Sequence, residues 1–73
     1  MRLEEAEVLS EYQTRFEKDP RNLSNTYEFF RLLNQHEMYL TLVRLYFKHE
    51  LDSLKVNSSE VNLIHEQFNF AAD

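Results

Sequence analysis

Hydrophobic residues recur along most of the chain with the three- and four-residue spacing of a helix face. In the first segment, about residues 3–18, Leu9, Tyr12 and Phe16 occupy positions i, i+3 and i+7, while the glutamates occupy other positions. Acidic side chains lie in its first turns and a lysine lies at its end, as the helix dipole favours. This pattern predicts an amphipathic helix that ends before Pro20, which disfavours helical backbone at the preceding residue.

Apolar side chains nearly surround the second predicted helix, residues 22–34. Two start positions fit the sequence: Asp19 as the N-cap followed by the proline, or a later cap at Ser24 or Asn25. The chain contains no glycine, so Asn34 is the residue expected to take the left-handed conformation that ends this helix.

Two further helices are predicted, over about residues 37–54 and 58–70. One continuous kinked helix over residues 24–54 is the alternative to a break after the second helix, because the polar gap contains no obligatory breaker. The last helix has the clearest start: Asn57 fits the N-cap and Glu60 the third position of a capping box, with valines placed for a hydrophobic staple. No segment of similar length alternates with period two, so strands are not expected.

These elements predict an all-α fold, a small antiparallel bundle of three to four helices with a helical hairpin at its centre. The 73 residues form one small domain, residues 1–73, either as a whole protein or as a domain of a longer one. A chain of this length buries only about 60% of its unfolded surface, so its core is thin. A partner, self-association or a parent protein is therefore a reasonable expectation.

Composition excludes several kinds of chemistry. A chain without cysteine has no disulfide, thiolate nucleophile or cysteine-based metal site, and one without glycine has no phosphate-binding loop or nucleophile elbow. His36, His49 and His65 are each followed by glutamate, but their spacing matches neither zinc-protease nor di-iron helices. We expect no enzyme activity, no cofactor, no metal and no small-molecule substrate; a metal site assembled from these pairs across helices is the alternative.

Charge is distributed unevenly along the chain. The formal net charge is −5, both ends are acidic, and residues 20–56 are close to neutral. This distribution disfavours a surface that tracks nucleic-acid phosphates, so no direct nucleic-acid binding is expected. The sequence shows no secretory or transit segment and no apolar run of membrane-spanning length. We therefore expect a soluble intracellular protein, most simply in the cytoplasm.

Large apolar side chains outnumber what four short helices can readily enclose. The chain has six phenylalanines and four tyrosines. A helix that is apolar nearly all round is central in a bundle or covered from outside. The second and third helices are both of this kind, which favours a partner surface on them; a plain monomeric core is the alternative. The candidate partner-binding residues are Tyr27, Phe29, Phe30, Tyr39, Val43, Tyr46 and Phe47, with Arg44 and Lys48 in a basic stripe that Lys55 extends.

The sequence thus indicates a non-enzymatic protein–protein interaction module, acting as an assembly subunit, adaptor or dimerisation unit. Its expected partner is another protein or a second copy of the chain, bound through the aromatic and aliphatic surface of the second and third helices. The alternative is a small acidic regulatory protein whose negative ends occupy a basic nucleic-acid-binding protein.

Parts of the chain resemble three families of helical proteins. Residues 5–50 resemble a tetratricopeptide hairpin, with Phe29, Leu33, Tyr39 and Tyr46 near its large-residue positions, although Phe30 and Leu42 stand where that repeat has small residues. Leu32 to Leu45 are similar to the helix-turn-helix of LisH dimerisation motifs, with His36-Glu37 in place of the turn glycine. Val56 to His65 and Ala71 to Asp73 resemble parts of Hha-type nucleoid modulators. Each resemblance implies binding to other proteins.

Overall fold

The protein folds into helices throughout the part of the chain that the structure describes, residues 3–54 and 58–73 of a computed structural model. No strand occurs in those ranges, and the predicted all-α bundle is confirmed. In chain order the elements are α1 (Leu3–Lys18), α2 (Leu23–Gln35), α3 (Tyr39–Lys48), a short 3-10 helix (Leu51–Ser53) and α4 (Ser59–Ala72).

Helix α2 is the centre of the bundle. It packs against α1, α3 and α4, and it contributes five buried residues where each of the other three α-helices contributes two. Its apolar residues surround most of its circumference because neighbours cover it on several sides. The expectation that Phe29 and Phe30 of α2 lie on a partner surface is therefore wrong, because both are almost fully buried.

Aromatic rings fill the junction of α1 and α2. The Phe16 ring lies 5.5 Å from Phe29 and 5.9 Å from Phe30, between ring centroids, and both contacts are tilted. The His49 ring, from the end of α3, meets Phe16 edge-on at 4.7 Å. These ring pairs join α1, α2 and the end of α3 in one core. None of them has the face-to-face arrangement that aromatic rings avoid.

Helix α2 begins at a cap that neither predicted start included. The N-cap is Asn22, whose side-chain oxygen accepts from the backbone N–H of Asn25 at 3.3 Å. The buried hydroxyl of Thr26 donates to the Asn22 carbonyl at 3.1 Å, which satisfies its hydrogen bond inside the first turn. Asp19 instead accepts from the Arg21 N–H in the preceding turn, so it does not cap α2.

Helix α2 ends in a Schellman motif built on glutamate. Glu37 has left-handed backbone with φ of 58°, its N–H donates to the Asn34 carbonyl, and the Met38 N–H donates to the Leu33 carbonyl at 2.8 Å. The chain thus forms a hairpin between α2 and α3, and the continuous kinked helix is excluded. The prediction of a left-handed Asn34 is wrong, because Asn34 lies inside α2 and is buried.

Asn34 connects α2 to α4. Its side-chain Nδ2 donates to the Gln67 carbonyl at 3.1 Å and to the Gln67 side-chain oxygen at 2.7 Å. Its own Oδ1 is buried and has no hydrogen-bond partner. A buried amide with two donated bonds holds the helix pair in one register, which explains why this residue remains helical and is not used as a turn.

Helix α3 ends as α2 does. The sequence Arg-Leu-x-x-x-His-Glu occurs at residues 31–37 and again at residues 44–50. His36 and His49 cap the two helices with φ of −96° in both, and Glu50 repeats the left-handed backbone of Glu37 with φ of 55°. The predicted third helix over 37–54 is therefore too long at both ends: α3 runs from residue 39 to 48, and the 3-10 turn follows.

Helix α4 begins one residue later than predicted. Ser58 is its N-cap, and the Ser58 hydroxyl oxygen accepts from the Val61 N–H at 3.2 Å. The predicted cap at Asn57, the staple from Val56 and the extension of the basic stripe to Lys55 fall outside the described residues. At its other end α4 continues to Ala72, two residues beyond the predicted boundary.

Replacing either left-handed glutamate with glycine should stabilise the protein. Left-handed backbone strains a residue that carries a Cβ, and glycine removes the strain while adding some unfolded-state entropy, so Glu37→Gly and Glu50→Gly are each expected to gain about 0.5–1 kcal/mol. Urea unfolding followed by circular dichroism measures the change. The matched control is Glu7→Gly, at an exposed position in the interior of α1, which should lose about 1 kcal/mol. Destabilisation by all three substitutions would contradict the claim that the backbone is strained at Glu37 and Glu50.

Candidate interaction surface

Helices α3 and α4 pack through a second aromatic cluster. The Tyr46 and Phe68 rings stack at 3.9 Å with an interplanar angle of 12°, and the Phe47 ring meets Phe68 edge-on at 5.3 Å. At the other end of α3, the Tyr39 ring meets Phe70 at 6.1 Å. The start of α3 thus lies beside the end of α4, so the two helices run antiparallel.

His65 of α4 forms hydrogen bonds on the inner side of the contact between α3 and α4. The Tyr46 hydroxyl and His65 Nδ1 are 2.7 Å apart, and His65 Nε2 lies 3.4 Å from the Leu54 carbonyl oxygen. A carbonyl only accepts, so in the neutral imidazole Nε2 carries the proton and Nδ1 accepts from the phenol. The ring therefore joins α4 to α3 and to the turn that follows α3.

Burial changes the pKa of the Tyr46 phenol in this pair. Removal of the Tyr46 hydroxyl from water, with a contribution from the negative charge of Asp52, raises the pKa of Tyr46 above its ordinary value of 10.0. Both causes disfavour the phenolate. The protonated phenol is the form that donates to His65, so the arrangement favours a structural hydrogen bond.

Helices α3 and α4 each expose large apolar side chains. We call this set of residues the α3–α4 face: Tyr39 (36% exposed), Leu40 (63%) and Phe47 (53%) on α3, and Leu63 (36%) and Phe70 (63%) on α4, where Phe70 also borders α2. Leu40 and Phe47 are seven residues apart on α3, and Leu63 and Phe70 are seven apart on α4, so each pair lies on one side of its helix. Elsewhere in the described ranges, the other exposed large apolar residues are Leu3 and Val8 of α1.

Charges of opposite sign accompany the two helices of the face. Helix α3 carries Arg44 and Lys48 and no acid, whereas α4 carries Glu60 and Glu66 and no lysine or arginine. All four side chains are exposed. The ion pairs found among the described residues are both within other helices, Arg15 with Glu11 and Arg31 with Glu28, so these four charges have no ion-pair partner among those residues.

The predicted partner-binding residues divide into three groups by exposure. Phe29, Phe30 and Tyr46 are buried in the core, so their placement on a partner surface is wrong: α1 covers the two phenylalanines and α4 covers the tyrosine. Tyr27 and Val43 are half-buried. Exposed positions on α3 are occupied by Tyr39, Phe47, Arg44 and Lys48.

Sequence reasoning missed the contribution of α4 to the face. Leu63 and Phe70 are spaced i and i+7, away from the stripe of Val61, Ile64 and Phe68 that predicts the buried side. This second apolar pair off the core stripe is the signal that could have indicated the exposed apolar residues of α4. Leu40 belongs to the same surface and was not among the predicted site residues.

The His-Glu pairs are dispersed. His36 and His49 are helix caps, and His65 bonds to Tyr46. Nowhere in residues 3–54 and 58–73 do three or more histidine or acidic side chains form a group able to hold a metal ion.

Over the same ranges, no helix has the length and apolarity needed to cross a lipid bilayer. A groove of about 450 Å³ between α2 and α4 borders Phe70, but Arg31, Glu66 and side-chain amides line most of it.

No family model, curated protein or solved structure matches this chain. The three partial resemblances of the sequence therefore remain resemblances.

Removing the Tyr46 hydroxyl should destabilise the protein in a pH-dependent way. Tyr46→Phe leaves His65 Nδ1 without its donor, so a loss of about 1–2 kcal/mol is expected at neutral pH. Because the folded-state pKa is raised, the contribution of the phenol is full below pH ~10 and is lost as the pH rises through the raised value. Urea unfolding of both proteins at several pH values should show the difference shrinking in alkali.

Tyr12→Phe provides the matched control. Tyr12 is half-buried on α1, and its ring contact with Arg15 does not require the hydroxyl. Its removal should change stability by less than about 0.5 kcal/mol. Equal stability of Tyr46→Phe and the parent at neutral pH, or a difference that does not change in alkali, would contradict the structural role of the phenol.

Proposed function

We propose that the protein is a non-enzymatic interaction module that associates through the α3–α4 face. The observation that supports this most directly is the concentration of exposed large apolar side chains on these two adjacent helices, five of the seven found in the described ranges. Isolated exposed apolar residues are common on monomers, but a concentration of large ones on two neighbouring helices is typical of a protein contact.

The composition of the face also favours a protein partner. Aromatic residues and arginine are enriched at the centres of protein interfaces, and Tyr39, Phe47 and Phe70 lie on the face with Arg44 beside them. The rings are partly held by neighbours within the chain, so little side-chain entropy remains to be lost when a partner covers them. A rigid apolar centre with charged residues at its edge suits a specific contact.

The proposed role needs no catalytic group. The one hydrogen-bonded Tyr–His pair found on the described residues lies on the inner side of α3 and α4, where its bonds hold helices together. We therefore assign function to the surface, as an assembly subunit, adaptor or dimerisation unit.

Matched leucine substitutions test the proposal. Leu40→Ser changes the α3–α4 face, and Leu3→Ser makes the same change at an even more exposed position on α1 (77%). Loss of a leucine that becomes buried on binding should weaken association at least about tenfold, whereas Leu3→Ser should leave it unchanged. Association is measured by sedimentation of the purified chain and by capture of binding proteins on the immobilised chain. Circular dichroism checks that both variants fold.

Two outcomes would overturn the proposal. One is association with the same strength in Leu40→Ser and the parent. The other is an association that weakens steeply with salt and ignores Leu40→Ser, which would instead support the acidic-regulator alternative, because contacts of exposed charges are screened and apolar contacts are not.

A further inference from the structure

The groove between α2 and α4 has a buried polar floor and an exposed rim. We call it the α2–α4 groove; it is lined by Arg31, Asn34, Gln35, Glu66, Gln67 and Phe70. Asn34 is buried, Gln67 is half-buried and hydrogen-bonded to it, and the other four side chains are exposed. Its volume of about 450 Å³ lies within the roughly 300–1,000 Å³ of ligand pockets, so it has room for several side chains.

The α2–α4 groove carries an uncompensated negative charge and lacks a hydrogen-bond donor. Arg31 on its rim is paired with Glu28 at 3.0 Å, whereas Glu66 has no ion-pair partner among the described residues. On the floor, Asn34 Oδ1 is buried without a hydrogen-bond partner. A cation with several N–H donors complements both features, and the exposed ring of Phe70 offers a face on which a guanidinium stacks. The groove thus has the chemistry that recognises an arginine side chain.

The outer side of α3 presents an arginine between two apolar side chains. Leu40, Arg44 and Phe47 are separated by four and then three residues, so they lie on one side of the helix. That side is opposite the buried Leu42 and Tyr46. All three outer side chains are exposed, and the guanidinium has no ion-pair partner among the described residues. Because α3 contains no acid, its outer side is basic as well as apolar.

We propose that the outer side of α3 docks in the α2–α4 groove of a second copy of this chain, with Arg44 beside Glu66 and Phe70. This inference rests on the proposed function and names its partner. The two surfaces share no residue, since the groove is lined by α2 and α4 alone. The contact is therefore heterologous: each copy uses its α3 on one neighbour and its groove on another, so association continues beyond two copies into a ring or a chain.

Pairing of α3 with α3 of a second copy is a simpler arrangement, but charge opposes it. Arg44 and Lys48 are both basic and the helix has no acid, so such a contact brings like charges together. In the α2–α4 groove the same arginine meets a carboxylate. The flanking Leu40 and Phe47 supply apolar area to cover the exposed ring of Phe70.

Variants that impair one surface each test the head-to-tail contact. Leu40→Ser impairs the outer side of α3 and leaves the groove intact, whereas Phe70→Ser impairs the groove and leaves the outer side of α3 intact. Each variant alone should associate at least about tenfold more weakly than the parent. An equal mixture brings together one intact α3 and one intact groove, so it should form pairs that contain one chain of each variant and that do not grow further.

Sedimentation equilibrium over a range of protein concentrations gives the readout, and circular dichroism checks that each variant folds. The parent should exceed twice the chain mass of 8.9 kDa as the concentration rises, whereas the mixture should approach twice that mass and not exceed it. Leu3→Ser, at an exposed leucine of α1, is the matched control and should assemble like the parent. Recognition of the arginine is tested by Arg44→Gln, which should also weaken assembly about tenfold. Arg21→Gln, exposed and outside both surfaces, should not.

The possible failures are distinct. A parent that stays monomeric at every concentration but captures another protein in a Leu40-dependent manner would overturn the docking of α3 in the groove and leave the proposed function standing. A Leu40-dependent assembly that stops at two copies, or a mixture that fails to pair, would overturn the head-to-tail contact alone. Assembly that ignores both Leu40→Ser and Phe70→Ser would overturn the docking and the proposed function together.

Discussion

The burial of α2 is the constraint on which the rest of this structure depends. A chain this short has one helix that neighbours can cover on several sides, and α2, with Phe29, Phe30 and Leu33 almost fully buried, is that helix. Helix α1 covers it through Phe16, and α4 covers it through packing and the amide of Asn34. With α4 held against α2, helix α3 contacts α4 mainly along one side, and the outer sides of both helices remain open.

The candidate surface follows from that arrangement. The sequence predicted some of its residues on α3 but none of those on α4. Both α2 and α3 are apolar nearly all round, and periodicity alone does not show which of two such helices will be central. The assignment of Phe30 to a partner surface was therefore wrong, whereas Tyr39 and Phe47 do lie on the outside. The contribution of Phe70 depends on α4 lying antiparallel to α3, which is a property of the tertiary packing.

The helices themselves were largely predictable, because apolar spacing, the proline and the capping residues act locally. The predicted ranges 3–18 and 58–70 lie close to the observed α1 and α4. Helix ends were less predictable where a tertiary contact outweighs conformational preference. Asparagine adopts left-handed backbone more readily than glutamate, yet Asn34 is needed inside for Gln67, so the left-handed position falls on Glu37. Glu50 has the same left-handed backbone in the second Arg-Leu-x-x-x-His-Glu segment, where Phe47 replaces Asn34 and no such amide contact exists, so the tertiary contact accounts for the helix end at Glu37 alone.

The central claim is that association uses the outer side of α3 and α4. The chain has no cysteine, so Asn62→Cys provides a single attachment site for a spin label on α4. Paramagnetic broadening is then measured by nuclear magnetic resonance in a mixture of spin-labelled chains and chains labelled with nitrogen-15. The account predicts that broadening between chains is strongest in residues 39–48 and 62–70 and weakest in the first turns of α1. Broadening between chains that is strongest in the first turns of α1 would contradict it.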